Sequence, residues 1–130
     1  MSGALDGIKV LEMANYISGP FASMLLADLG ATVIKIEIPG QGDPFRGWGE
    51  VPYSPTFCSL NRNKQSLSLN VQEAQGKEIF MRLARDADVI IENMRPGVLD
   101  RMGIGYEAVR AVNEKIVYCS ILRPLPESIG

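Results

Sequence analysis

Two apolar runs flank a helical pattern near the start of the chain. Residues 8–12 and 31–37 have the character of strands. Between them, apolar side chains recur at a spacing that lines one face of a helix: Phe21, Met24, Leu25 and Leu29. Gly19-Pro20 suits the start of this helix and Gly30 its end, because a first helical turn tolerates proline and the position after a helix favours glycine. Strand, helix and strand at this spacing predict a right-handed crossover between two parallel strands.

The alternation of strand and helix patterns continues along the chain. Residues 66–69 alternate polar and apolar like a half-exposed strand, residues 87–92 form the apolar run of a strand covered on both faces, and residues 115–121 predict a last strand. Asn70 and Glu73 have capping-box spacing at the start of a further helix. Its predicted buried positions are Ile79, Phe80, Leu83 and Ala84.

These patterns predict an α/β fold with an open, mostly parallel sheet of four or five strands. A short helical turn is expected at residues 98–102, and a further helix carries Tyr106, Val109 and Val112. With 130 residues the chain fits one domain. We place that domain at residues 1–121, because residues 122–130 contain two prolines and no clear period where another helix should cover the sheet.

Composition excludes several classes of protein. The net charge of -2 gives no basic field for nucleic acid, and no apolar run is long enough to span a membrane. The amino terminus has no basic or apolar leader, so we expect a cytoplasmic protein. Histidine is absent, which excludes Ser-His-Asp and Cys-His catalysis and disfavours a metal site. Cys58 and Cys119 are too few for a zinc or disulfide framework, and we expect buried, reduced thiols.

Two loops and several cations are candidates for ligand binding. Residues 15–18 precede the first helix, whose unpaired N–H groups could attract an anion, although a tight turn explains the same residues. The segment 38–56 is long and rich in proline and glycine, and its aromatic residues indicate that it packs against the protein. Asn93 lies at the carboxyl end of a predicted strand, and Arg95 and Arg101 follow it. These residues, and likewise Arg62 and Lys64, could hold phosphate or could be solvated surface charges.

Taken together, these motifs resemble the class III coenzyme A (CoA) transferases, a group that includes formyl-CoA transferase and carnitine-CoA transferase. The likeness runs from Leu5 to about Ile121 and includes Gly19-Pro20-Phe21-Ala22 and Asn61-Arg62-Asn63-Lys64. In full, the matching stretches are residues 5–11, 19–22, 26–31, 33–37, 42–43, 46–48, 61–66, 87–89, 92–93, 95–97, 102–103 and 118–121. Their shared order and spacing make the resemblance specific.

The resemblance implies a Rossmann-like portion that binds CoA or acyl-CoA as substrate, within a longer chain that forms an interlocked homodimer. Carried onto this sequence, the CoA contacts would be Ile17, Ser18, Leu69, Asn70, Val71, Gln72, Asn93, Met94, Arg95 and Arg101. Two departures each remove a positive charge, because Ile38 stands where many members carry Arg and Gln72 where many carry Lys. Such losses would weaken the attraction for phosphate.

The family's reaction transfers CoA from an acyl-CoA to a carboxylic acid through an aspartyl intermediate. None of the 15 acidic residues matches the motif of that nucleophile, so no catalytic residue is assigned, and we expect a truncated chain that is inactive by itself. Acidic residues that could substitute are better explained by turns, solvent faces and strand ends: Asp28, Asp43, Asp88 and Glu92.

Two alternatives remain open. The first is a fragment of an enzyme like α-methylacyl-CoA racemase, although Gly42-Asp43 and the motif at residues 46–48 favour a transferase. The second is a non-catalytic CoA-binding module.

Overall fold

A five-stranded sheet forms the centre of the molecule. The computed structural model describes residues 2–49 and 53–122. Within them the strand order is β3-β2-β1-β4-β5, and every neighbouring pair is parallel. The strands are β1 Lys9–Met13, β2 Thr32–Glu37, β3 Lys64–Ser68, β4 Val89–Glu92 and β5 Val117–Ser120. The predicted α/β fold with an open parallel sheet is therefore confirmed, and the strand order is that of a Rossmann-like sheet.

Helices connect the successive strands. They are α1 Ser18–Asp28, α2 Pro55–Leu60, α3 Ala74–Arg85, α4 Val98–Arg101 and α5 Tyr106–Val112. The long segment after β2 also contains a 3₁₀ turn at Pro44–Gly47, and buried Phe45 anchors it. The described part of this segment is therefore anchored on the protein by Phe45, whereas Trp48 and Tyr53 are exposed. Of the predicted tail, residues 123–130 lie outside the described residues, so the domain boundary stays a prediction.

Both faces of the sheet are covered, which explains the apolar character of its central strands. On one face, Leu11 and Ile90 pack with Phe80 of α3 and Val109 of α5. A smaller cluster on the other face joins the strands to α1, and it contains Val10, Ala27, Ala31, Val33 and Ile91. Strands buried on both sides need few polar positions, as the run at residues 87–92 indicated.

The apolar face that the sequence pattern gives to α1 is mostly not buried. Phe21, Leu25 and Leu29 are 48%, 46% and 49% exposed, and of the predicted stripe only Met24 is buried. The helix instead turns its small residues toward the sheet: Gly19, Pro20, Ser23 and Ala27 are buried beside Met24. Small side chains let the helix lie close to the strands, and the larger apolar residues are left on its outer side.

The predicted capping box of α3 is also wrong. Glu73 is the residue before the helix, but no side chain caps its first turn. Asn70 instead accepts a hydrogen bond from the Gln72 N–H in a local turn. Phe80 and Ala84 are fully buried as predicted, whereas Ile79 is 43% exposed.

The predicted burial of the two cysteines is wrong as well. Cys58 in α2 and Cys119 in β5 are both exposed, free thiols. Cys119 is exposed because β5 is the edge of the described sheet, with Val117 of the same strand 60% exposed.

Candidate ligand cavity at the carboxyl ends of the strands

A cavity of about 270 Å³ lies where the strands end. Strand ends and the residues after them supply most of the wall: Met13, Asn15, Ile36, Ile38, Leu69, Asn70, Val71, Gln72 and Met94. The long segment and α4 complete it with Gln41, Gly42, Pro44, Val98, Leu99 and Met102. The cavity spans the β1–β4 pair, where the strand order reverses. Open parallel sheets commonly bind ligands at such a position.

The wall of this cavity contains no charged side chain. Its surface is mainly apolar, with three methionine thioethers that adapt to the shape of a flat ligand. The polar side chains are four amides, from Asn15, Gln41, Asn70 and Gln72, and each can both donate and accept hydrogen bonds. An uncharged planar group with hydrogen-bonding edges suits this cavity better than a phosphate does.

The predicted contact residues fall into three groups. Leu69, Asn70, Val71, Gln72 and Met94 line the cavity. Arg95 lines a second cavity of about 220 Å³ on the other side of Leu99, beside Glu92 and Tyr118. The remaining four line neither of these two cavities: Ile17, Ser18, Asn93 and Arg101.

Asn93 holds the loop after β1 in place. Its side-chain oxygen accepts a hydrogen bond from the Asn15 N–H at 2.9 Å, and its NH₂ group donates to the Asn15 carbonyl at 2.8 Å. The same NH₂ group donates to Ser18 Oγ at 3.2 Å, at the start of α1. Asn93 therefore connects the end of β4 to the β1–α1 loop.

Arg101 has a different environment. It lies exposed in the last turn of α4, with its guanidinium group beside Gly97. Asn93 and Arg101 therefore do not meet in either of the two cavities.

Two of the other candidate cations are already paired. Arg62 binds both carboxylate oxygens of Asp28, and this hydrogen bonding holds the pKa of Asp28 below its usual value. Lys64 Nζ lies within 2.9 Å of Glu12 Oε2, the Pro20 carbonyl and Asn61 Oδ1. Burial lowers the pKa of Lys64, while Glu12 opposes that effect. The geometry favours structural roles for these residues over phosphate binding.

A buried ionic network was not predicted from the sequence. Lys35 is 2% exposed, and its Nζ lies 2.7 Å from Glu12 Oε1 and 2.9 Å from Asp43 Oδ2. Ser23 of α1 donates to Glu12 Oε2 at 2.6 Å. One signal was available, since Glu12 and Lys35 are charged residues within the apolar strand patterns at residues 8–12 and 31–37.

A second buried carboxylate fixes the long segment to the sheet. Glu37 accepts hydrogen bonds from Arg46 Nε and Nη2 at 2.7 and 2.6 Å, from the Ser66 hydroxyl at 2.7 Å and from the Asp43 N–H at 2.8 Å. Burial would raise the pKa of Glu37, but these hydrogen bonds together lower it from 4.5 to about 2. The carboxylate is therefore ionised throughout the neutral range.

The second cavity contains the half-buried side chain of Tyr118, whose hydroxyl oxygen is buried. Tyr106 and Tyr118 meet edge to face there, with ring centres 5.7 Å apart. Burial, and after it the charges of Glu92 and Asp100, raise the pKa of Tyr118 above its ordinary value. This hydroxyl therefore stays protonated.

Residues 2–49 and 53–122 contain neither a candidate metal site nor a helix that could span a membrane. These residues contain no cluster of three or more His, Cys, Asp or Glu side chains able to hold a metal ion. In the same part of the chain, every helix is too short or too polar to cross a bilayer.

Comparison with known proteins defines the class of protein. The profile of CoA-transferase family III matches residues 5–122, so the chain belongs to this family and the predicted resemblance is confirmed. Succinyl-CoA:glutarate CoA-transferase of Mus musculus is 46% identical over 121 residues, which are 90% of this chain and 28% of that protein. Acetyl-CoA:oxalate CoA-transferase of Acetobacter aceti is 43% identical over 122 residues, 91% of this chain and 31% of the relative.

Solved structures agree with this assignment. A CAIB/BAIF family protein from Brucella suis superposes with a TM-score of 0.87 at 40% sequence identity, covering 92% of this chain and 33% of the other. The chain thus spans about a third or less of the relatives it matches.

Proposed function

We propose that this chain is the CoA-binding portion of an enzyme that transfers CoA from an acyl-CoA to a carboxylic acid. The observation that carries the proposal is the uncharged cavity at the carboxyl ends of the strands, in a chain that belongs to CoA-transferase family III. The relatives described above are named as CoA transferases, so the racemase alternative gains no support from them. A cytoplasmic location and a homodimer of the longer family members stay predictions.

The charge distribution supports a specific orientation of CoA. The cavity suits the adenine ring, which is flat and uncharged and can pair with the amide of Asn70. Arg95 and Arg101 are exposed outside it, and there they can contact phosphates. Ile17 and Ser18 begin α1 beside these loops and are proposed contacts along the rest of the carrier.

The group that reacts with the thioester is proposed to lie beyond the matched residues. A nucleophilic aspartate needs a free carboxylate, and the four acidic candidates already have partners. Asp28 pairs with Arg62, Asp43 with Lys35, Asp88 accepts from the Lys9 N–H, and Glu92 accepts from the Met94 N–H. We therefore expect the 130-residue chain to bind CoA without transferring it.

Calorimetric titration of CoA into the 130-residue chain tests the binding. Gln72→Lys adds a cation at the cavity edge, so we expect about tenfold tighter binding from a charge-assisted contact to phosphate. Gln75→Lys makes the same charge change on the exposed side of α3 and should leave the dissociation constant within about twofold. The proposal is refuted if millimolar CoA gives no heat, or if both variants bind equally more tightly.

Transfer is tested separately, because binding and chemistry are expected to dissociate. The chain is incubated with succinyl-CoA and glutarate, and the acyl-CoA products are separated by chromatography. No product above the protein-free blank is expected. Turnover similar to that of a full-length relative would show that the nucleophile lies within this chain after all.

A further inference from the structure

Two separate segments of the chain form one side of the cavity. Asn15, just after β1, supplies part of the wall, and Gly42 and Pro44 of the long segment supply the adjoining part. They are more than twenty residues apart in sequence and belong to different loops. Unless the two loops are joined, the width of the cavity is not fixed.

Asp43 joins these two segments directly. It lies between Gly42 and Pro44, yet it is only 1% exposed because its carboxylate points into the protein. Oδ1 accepts hydrogen bonds from the Tyr16 N–H at 3.2 Å and from the Phe45 N–H at 2.9 Å. One oxygen therefore binds the residue after Asn15 and also caps the 3₁₀ turn that continues the long segment.

Lys35 of β2 makes the second connection between the two segments. Its Nζ donates to the Ala14 carbonyl at 2.8 Å, on the other side of Asn15, and lies 2.9 Å from Asp43 Oδ2. The amine reaches this position from β2, where it is paired in register with Glu12 of β1. Asn15 is thus held between two residues whose backbones bind the same buried ion pair.

The buried charges balance, and this balance makes a precise test possible. Lys35 and Lys64 face Glu12 and Asp43, so the network holds two cations and two anions. Removing one charge leaves the others unbalanced in a dry environment, which is costly. Asp43→Asn keeps an oxygen for the two backbone N–H groups, so this variant separates the role of the charge from that of the turn cap.

We propose that the Asp43–Lys35 ion pair is a positioning device that sets the width of the CoA cavity by locking the β1–α1 loop to the long segment. Its effect on affinity rests on the proposed function. Neither residue contacts the ligand, because neither lines the cavity. The pair acts through Asn15, Gly42 and Pro44.

The first experiment needs no ligand. Amide hydrogen exchange is measured on wild type, Asp43→Asn and the control Asp28→Asn, which removes a paired carboxylate from the exposed side of α1. Exchange at Asn15 and Gly42 should be at least tenfold faster in Asp43→Asn and unchanged in Asp28→Asn. Unchanged exchange at both amides in Asp43→Asn would overturn the proposal.

The second experiment separates positioning from stability. Lys35→Met combined with Asp43→Asn restores the charge balance, so thermal stability should recover relative to Asp43→Asn alone. We expect CoA to bind at least tenfold more weakly to both of these variants than to wild type, because the ion pair is lost and only the uncharged contact to the Tyr16 N–H still joins the two loops. Wild-type affinity in the double variant would overturn the proposal. If wild type itself does not bind CoA, the proposed function fails, and the exchange measurement alone decides on the positioning role.

Discussion

Replacing Glu37 with Gln should reduce stability in a pH-dependent manner. The carboxylate is 5% exposed and accepts four hydrogen bonds, two of them from Arg46. Gln keeps the size of the side chain but has one acceptor oxygen, and its NH₂ group would face the donors of Arg46 or Asp43. The substitution therefore removes the ionised group that these donors stabilise.

The magnitude follows from the pKa. The pKa of Glu37 is about 2 in the folded protein against an ordinary value of 4.5, and each pKa unit corresponds to ~1.4 kcal/mol. The carboxylate thus contributes roughly 3 kcal/mol at pH 7. Because the folded pKa is the lower one, this contribution is complete above the unfolded pKa and is lost as pH falls from about 5 toward 2. At pH 3, the contribution of the Glu37 carboxylate to the free energy of unfolding has fallen to about 1.4 kcal/mol.

Urea unfolding of wild type and Glu37→Gln at several values from pH 7 to pH 3 measures this difference directly. Subtracting the two curves removes the titration of the other carboxylates. Glu78→Gln on the exposed side of α3 is the matched control and should change the free energy of unfolding by less than ~0.5 kcal/mol at every pH. A Glu37→Gln difference that stays constant from pH 7 to pH 3 would refute the reasoning, since a pKa shift in Glu37 requires it to shrink.

Two further predictions concern packing and exposure. Gly76→Ala should lower the free energy of unfolding by about 1–3 kcal/mol, because the added Cβ would collide with the backbone of Asn70. The control Gly47→Ala adds its Cβ in open space and should lower the free energy of unfolding by less than ~1 kcal/mol. Equal losses for the two variants in urea unfolding would contradict this prediction. Cys58 and Cys119 should both react with a thiol reagent such as DTNB in the native protein, giving two reactive thiols per chain, as in denaturant. A count of one reactive thiol or none in the native protein would show that these positions are covered.

The order of strands and helices could be predicted from the sequence because it depends on local patterns. Residues 8–12 and 31–37 overlap β1 and β2, and Gly30, in the left-handed conformation with a φ of 105°, follows α1 as expected. The resemblance to the family implied CoA contacts in the loops after β3 and β4, in agreement with the expectation that ligands gather where parallel strands end. Leu69 and Met94 do line the cavity there.

Sequence by itself therefore determined the fold class and the family, and it predicted the edge of the sheet where the cavity lies. Tertiary structure alone decided which face of α1 is buried. The apolar spacing of Phe21 and Leu25 would fit a buried face, but the helix lies so close to the sheet that only small residues fit between them. It also decided the ionic network. Glu12 and Lys35 become neighbours through strand register, and the long segment then brings Asp43 to them. Local periodicity carries no information about either contact.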